Sequence, residues 1–92
     1  MRMGANMKEL ERQLKALANF RRLQILKYLE KVHSASVGDI AREIRLSLKS
    51  TSRHLAILRA SEIVSTNQQR LVVFYSLTNP RPSLLKQILT MC

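Results

Sequence analysis

The sequence predicts a mainly α-helical domain with one small β-hairpin, an α+β fold in the order of four helices, two strands and a final helix. Three observations predict it. Apolar residues recur at three- and four-residue spacing through four early segments, the mark of helices with one buried face. Val, Ile, Tyr, Phe and Thr then concentrate between Ile63 and Thr78, which favours strands. Pro80 and Pro82 close that region, because proline removes ladder donors and restricts the residue before it, and a last apolar helical stripe follows.

The elements follow in order. Residues 1–6 lack the apolar core of a signal peptide and read as a flexible leader, which leaves residues 7–92 as a single domain. Met7, Leu10, Leu14 and Leu17 form a narrow stripe on a helix from Met7 to Ala18. Asn19 interrupts the chain, and a second helix runs from Phe20 to Val32 with a wide apolar face that suits the centre of a core. His33 to Ala35 is a connector. Ser36 caps a short third helix ending near Ile44, with Asp39 near the positive end of its dipole. Arg45-Leu46 makes a tight connection, and Ser47 caps a fourth helix reaching Ser61, with Thr51, Leu55 and Leu58 inward. Ile63 to Ser65 and Leu71 to Thr78 are the strands of a hairpin with its tip between Asn67 and Arg70. Ser83 caps the last helix, which carries Leu84, Leu85, Ile88 and Leu89.

Charge narrows the function. Sixteen Lys and Arg stand against six Asp and Glu, a formal net charge of +10 in 92 residues. So basic a domain attracts polyanions, and nucleic acid leads. A membrane surface would need the cations gathered on the polar face of one strongly amphipathic helix, whereas here they are spread along the chain. No apolar run approaches the ~18 residues of a membrane span. The single cysteine, Cys92, permits no intrachain disulfide, which points to a reducing compartment, the cytoplasm. No paired carboxylates, no nucleophile with its base and no phosphate loop support an enzyme.

Two short helices joined by a tight turn and followed at once by a hairpin make a winged helix-turn-helix. The second helix of such a pair enters the ~12 Å major groove, and its first residues meet base edges. Here it opens with Ser47, Lys49, Ser50 and Ser52, then Arg53 and His54. Arg70 at the hairpin tip, and Arg42 and Arg45 before the helix, are candidate phosphate contacts. Arg21 and Arg22 either touch phosphate or simply solvate the second helix. The stripes Met7, Leu10, Leu14, Leu17 and Leu85, Ile88, Leu89 are candidates for a homodimer interface, since a small domain buries a modest share of its surface alone.

The residues Leu14-Lys15-Ala16-Leu17-Ala18-Asn19-Phe20-Arg21-Arg22-Leu23-Gln24-Ile25-Leu26 resemble the ArsR/SmtB family of winged-helix repressors. The likeness continues in Asp39-Ile40-Ala41, in Leu46-Ser47, in Thr51-Ser52-Arg53-His54-Leu55 with Leu58-Arg59, and in Phe74-Tyr75-Ser76-Leu77. It implies a homodimer, joined through the first and last helices, that binds a palindromic operator on double-stranded DNA near a promoter. The departures are specific. Many members carry a Cys-x-Cys metal pair where this chain has Ser36 and Gly38, and others use Asp, His and Glu on the last helix, all lacking in residues 83–92. No metal and no cofactor is therefore expected, and no effector follows from the sequence. Arg45 and Glu62 replace two glycines of the usual pattern. Leu48 stands where a polar residue is common in the groove-facing turn; it touches a thymine methyl or packs inward. A winged-helix protein-interaction module and a non-specific DNA-coating protein are the alternatives.

Overall fold

The computed structural model describes residues 3–92, with side chains described from residue 7 onward. Its elements are α1 (Met3–Leu17), α2 (Phe20–Val32), β1 (Ala35–Ser36), α3 (Val37–Ile44), α4 (Leu48–Ala60), β2 (Val64–Gln69), β3 (Val72–Leu77) and α5 (Ser83–Met91). The first helix thus starts at Met3 rather than Met7; of the expected leader, residues 1 and 2 lie outside the described residues.

The local signals that place the middle helices are visible as bonds. The Asn19 side chain accepts from the backbone N–H of Arg22 and starts α2 where expected. Ser36 and Asp39 form a reciprocal capping box at the start of α3. The Ser47 hydroxyl accepts from the Ser50 N–H at 3.1 Å and starts α4. Ile25, Leu26 and Leu29 of α2 are fully buried, as the wide apolar face required. They meet Ile40 and Ile44 of α3, Leu55 and Leu58 of α4, and Leu85 and Leu89 of α5 in one core.

Two helices close on the same left-handed turn without glycine. After α3, Arg45 has φ 56°, and the N–H groups of Arg45 and Leu46 donate to the carbonyls of Arg42 and Ala41. After α4, Glu62 has φ 60°, and the N–H groups of Glu62 and Ile63 donate to Arg59 and Leu58. Each turn satisfies two otherwise orphaned carbonyls and is followed by an apolar residue packed on the core, the arrangement that glycine usually makes easy. At each, a side chain sits in left-handed backbone at a cost of ~1 kcal/mol.

Four expectations need correction. A two-residue strand, β1, pairs antiparallel with β3 (Ala35 opposite Tyr75), so the sheet has three strands in the order β1-β3-β2. Strand β2 continues through the polar stretch to Gln69, paired with Val72, and the hairpin turns on Arg70 and Leu71 alone. The wing lies largely in solvent, so pairing there proceeds without the hydrophobic alternation that marks a half-buried strand. Ser83 is the first residue of α5 and not its cap; Pro82 occupies the cap position with no side-chain bond. Finally, Leu17, Leu85 and Leu89, expected at a dimer interface, are 5%, 0% and 3% exposed within a single chain. They are core residues because the ends of α1 and α5 fold back onto the same cluster.

Candidate nucleic-acid interface

The fourth helix is held by one face only. Thr51, Leu55 and Leu58, each 0% exposed, lie three and four residues apart and lock it into the core. The Thr51 Oγ1 has no hydrogen-bond partner among the described residues, so this position serves packing and not polar recognition. The remaining surface of α4 carries Lys49, Ser52, Arg53 and Arg59, all exposed, and no acidic residue. Among the described residues, Lys49, Arg53, Arg45 and Arg70 make no ion pair, so their charge is available. Arg42 is exposed but tied to Asp39 one turn earlier on α3.

The other expected site residues fall as follows. The exposed Ser47 hydroxyl is engaged as a cap, and Ser50 is half-buried behind it. Arg45 projects from the left-handed turn between α3 and α4. Arg70 sits at the wing tip with φ 59°, its carbonyl accepting from the Gln68 side chain at 3.2 Å. The wing follows α4 after one turn: the Ile63 N–H donates to the Leu58 carbonyl of α4 at 3.0 Å, and the chain passes directly into β2.

His54 is half-buried, and its Nδ1 lies 3.2 Å from the Arg22 Nη1. Arginine can only donate, so Nδ1 accepts and the ring proton of the neutral imidazole sits on Nε2. Burial, then the charges of Arg22 and Arg21, hold its pKa below the ordinary value. His54 therefore presents one neutral donor beside the cations of α4.

Sequence reasoning missed what the paired arginines do. Arg22 donates to the carbonyls of Ala16 and Lys15 at the end of α1 while reaching His54 on α4. Arg21 donates to the Ile44 carbonyl, 2.7 Å away at the end of α3, and to Gln24. Both cations thus sit at negative helix ends, where the dipole and unsatisfied carbonyls favour them, and they brace α1, α3 and α4 on α2. A signal was present: two adjacent arginines at the start of a helix are misplaced for their own dipole, which suggests that they serve other helices.

A tight helix pair, a second helix fixed by its inner edge with a cationic outer face, and a hairpin wing define a winged helix-turn-helix protein of the DNA-binding kind. The chain belongs to the arsR family of bacterial regulatory proteins, whose family profile matches residues 19–66. It is 40% identical over 76 residues to the transcriptional activator HlyU of Vibrio cholerae serotype O1, spanning 83% of this chain and 69% of that protein. The structure of reduced HlyU from Vibrio cholerae N16961 aligns with a TM-score of 0.80 at 36% identity, over 97% of this chain and 90% of the other. The transcriptional repressor PagR of Bacillus anthracis is 32% identical over 68 residues, which is 74% of this chain and 68% of PagR. A homodimeric winged helix-turn-helix DNA-binding domain from Mycobacterium bovis, Mb0332, aligns with a TM-score of 0.82 at 27% identity, over 98% of this chain and 80% of that one. The protein is thus a transcriptional regulator with a winged helix-turn-helix fold. Among the described residues, no helix is long and apolar enough to cross a membrane.

Proposed function

We propose that the chain acts in the cytoplasm as a homodimer that binds a palindromic operator on double-stranded DNA and represses the adjacent promoter. The observation that carries this reading is the outer face of α4, where Lys49, Ser52 and Arg53 are exposed with no acid on the helix. Arg53 and Lys49 meet the major groove. Ser50, Ser52 and the Nε2 of His54 supply neutral donors, and Arg42, Arg45 and the wing's Arg70 bind phosphate. The exposed Met7, Leu10 and Leu14 of α1, with the half-buried Ile88 of α5, supply the dimer face, and Leu17, Leu85 and Leu89 support it from beneath. The homodimeric Mycobacterium relative supports the pairing, and the name of PagR supports repression. Two copies of α4 set one DNA turn apart, ~34 Å, read a palindrome.

Footprinting on genomic fragments tests this. The expected result is a protected palindrome with half-sites one turn apart, and Arg53→Ala weakens operator binding by about 5- to 150-fold, the cost of ~1–3 kcal/mol for one base contact. Uniform, salt-sensitive coating overturns sequence specificity. No duplex binding near physiological salt transfers the basic face to an acidic protein partner. A promoter reporter activated by the protein, as the name of HlyU suggests for that relative, overturns repression.

A further inference from the structure

The first residue of α4 does not match its neighbours. Leu48 is 57% exposed, because the buried face of α4 begins only at Thr51. It does not pack inward. It lines an open notch of about 440 Å³ with Gly38, Ala41 and Leu46, and the notch is flanked by Arg42 and Arg45. Both arginines are exposed, and Lys49 follows Leu48 directly. The surface is therefore an apolar floor set between cations on the helix turn that reads DNA.

That combination asks for an apolar group carried on a polyanion. An unmodified duplex has one such group in its major groove, the C5-methyl of thymine. We propose that Leu48, with Ala41 and Leu46 behind it, is a specificity-determining residue that receives a thymine methyl of the operator, while Arg42 and Arg45 hold the phosphates alongside. This rests on the operator-binding reading above and deepens it. The floor offers no polar side-chain atom, so it discriminates by hydrocarbon contact and selects thymine over cytosine at one step of each half-site. Notch size sets no tight limit; it has room for the methyl and the pyrimidine edge that bears it.

The test removes the methyl and nothing else. Each operator thymine is replaced singly by deoxyuridine, and affinity is measured for the full chain, for Leu48→Ala and for Leu48→Met. Burying one methyl is worth about a fourfold change in affinity. The expected result is one position per half-site where uracil weakens the parent about fourfold, about fifteenfold when both half-sites are changed. Leu48→Ala is insensitive at that position, and Leu48→Met, which keeps a hydrocarbon of similar size, retains the response. A uracil effect of equal size in the parent and Leu48→Ala overturns the proposal, as does an operator insensitive at every thymine. A failure to find any operator is a different result, and it fails the underlying reading together with this one.

Discussion

The helix-turn-helix and the first helix solve the same burial problem and leave opposite remainders. In α3 and α4, caps, turns and inner faces agree; α4 leaves cationic and hydroxylic side chains uncovered, with Leu48, Ile57 and two alanines among them, while α3 exposes Arg42 and Glu43. In α1, among the residues whose side chains are described, Ala16 and Leu17 are buried in the core. Beside the exposed charges of Lys8, Glu9, Glu11, Arg12 and Lys15, a hydrocarbon stripe stays uncovered: Met7 at 62%, Leu10 at 43% and Leu14 at 47% exposure. Scattered exposed apolar side chains are ordinary, but three on one helical stripe are a patch. Each remainder specifies a different partner, a polyanion for the first and another apolar surface for the second. Function is legible in the chemistry that folding leaves outside.

The strongest way to break this comparison is Leu14→Glu, which puts a charge into the proposed dimer face. Leu14 is half exposed in one chain, so the fold survives, as circular dichroism should confirm. Sedimentation is expected to show a monomer where the parent is a dimer. Operator affinity then falls by about 10²-fold or more, because the second half-site no longer benefits from linkage to the first. A variant that remains dimeric places the interface elsewhere.

The same contrast explains what could be read from the residues. The bounds of α2, the caps Ser36 and Ser47 and the inner face Thr51-Leu55-Leu58 were legible because each has a local cause, a side chain bonding three residues on or a 3.6-residue period. What escaped depends on distant partners. Two residues of β1 are strand only because Tyr75 and Phe74 lie beside them. Thr66 to Gln69 extend β2 because β3 supplies the ladder, and the tip residues Arg70 and Leu71 carry no glycine or asparagine to announce a turn. Leu17, Leu85 and Leu89 share the periodicity of their exposed neighbours, and a stripe does not say whether its cover comes from the same chain or from another. Of the site, the cationic face of α4 was readable, whereas the bracing by Arg21 and Arg22 needed coordinates across three helices.

A smaller effect sharpens the comparison inside the helix-turn-helix. The turns at Arg45 and Glu62 are backbone twins, but only the first borders the proposed DNA face. Glu62→Gly relieves a left-handed side chain and should raise unfolding stability by up to ~1 kcal/mol, with part of the gain offset by the freer unfolded chain. Its operator affinity stays unchanged. Arg45→Gly should bring a similar gain in denaturant melts, yet weaken binding on all duplexes and reduce the salt slope by about one, the signature of a lost phosphate contact. Equal binding by the two variants would remove Arg45 from the interface.

The smallest effect lies where the two compared regions meet. Arg22 joins the carbonyls closing α1 to His54 on α4, and it can do so only while the imidazole keeps Nδ1 free to accept. Burial and then the charges of Arg22 and Arg21 lower the His54 pKa below 6.5, so the unfolded chain binds this proton more readily than the folded one. The contribution is therefore complete above pH 6.5 and declines as pH falls through the window below it. Melts from pH 8 to pH 5 should show the parent losing more stability than His54→Gln, which cannot take a proton, while the two coincide in slope above pH 7. Half-exposure of the ring and solvent screening keep the difference small. Parallel curves across the whole range would mean that the Arg22 contact does not persist in solution, and that the end of α1 is held on α4 by Ala16 and Leu17 alone.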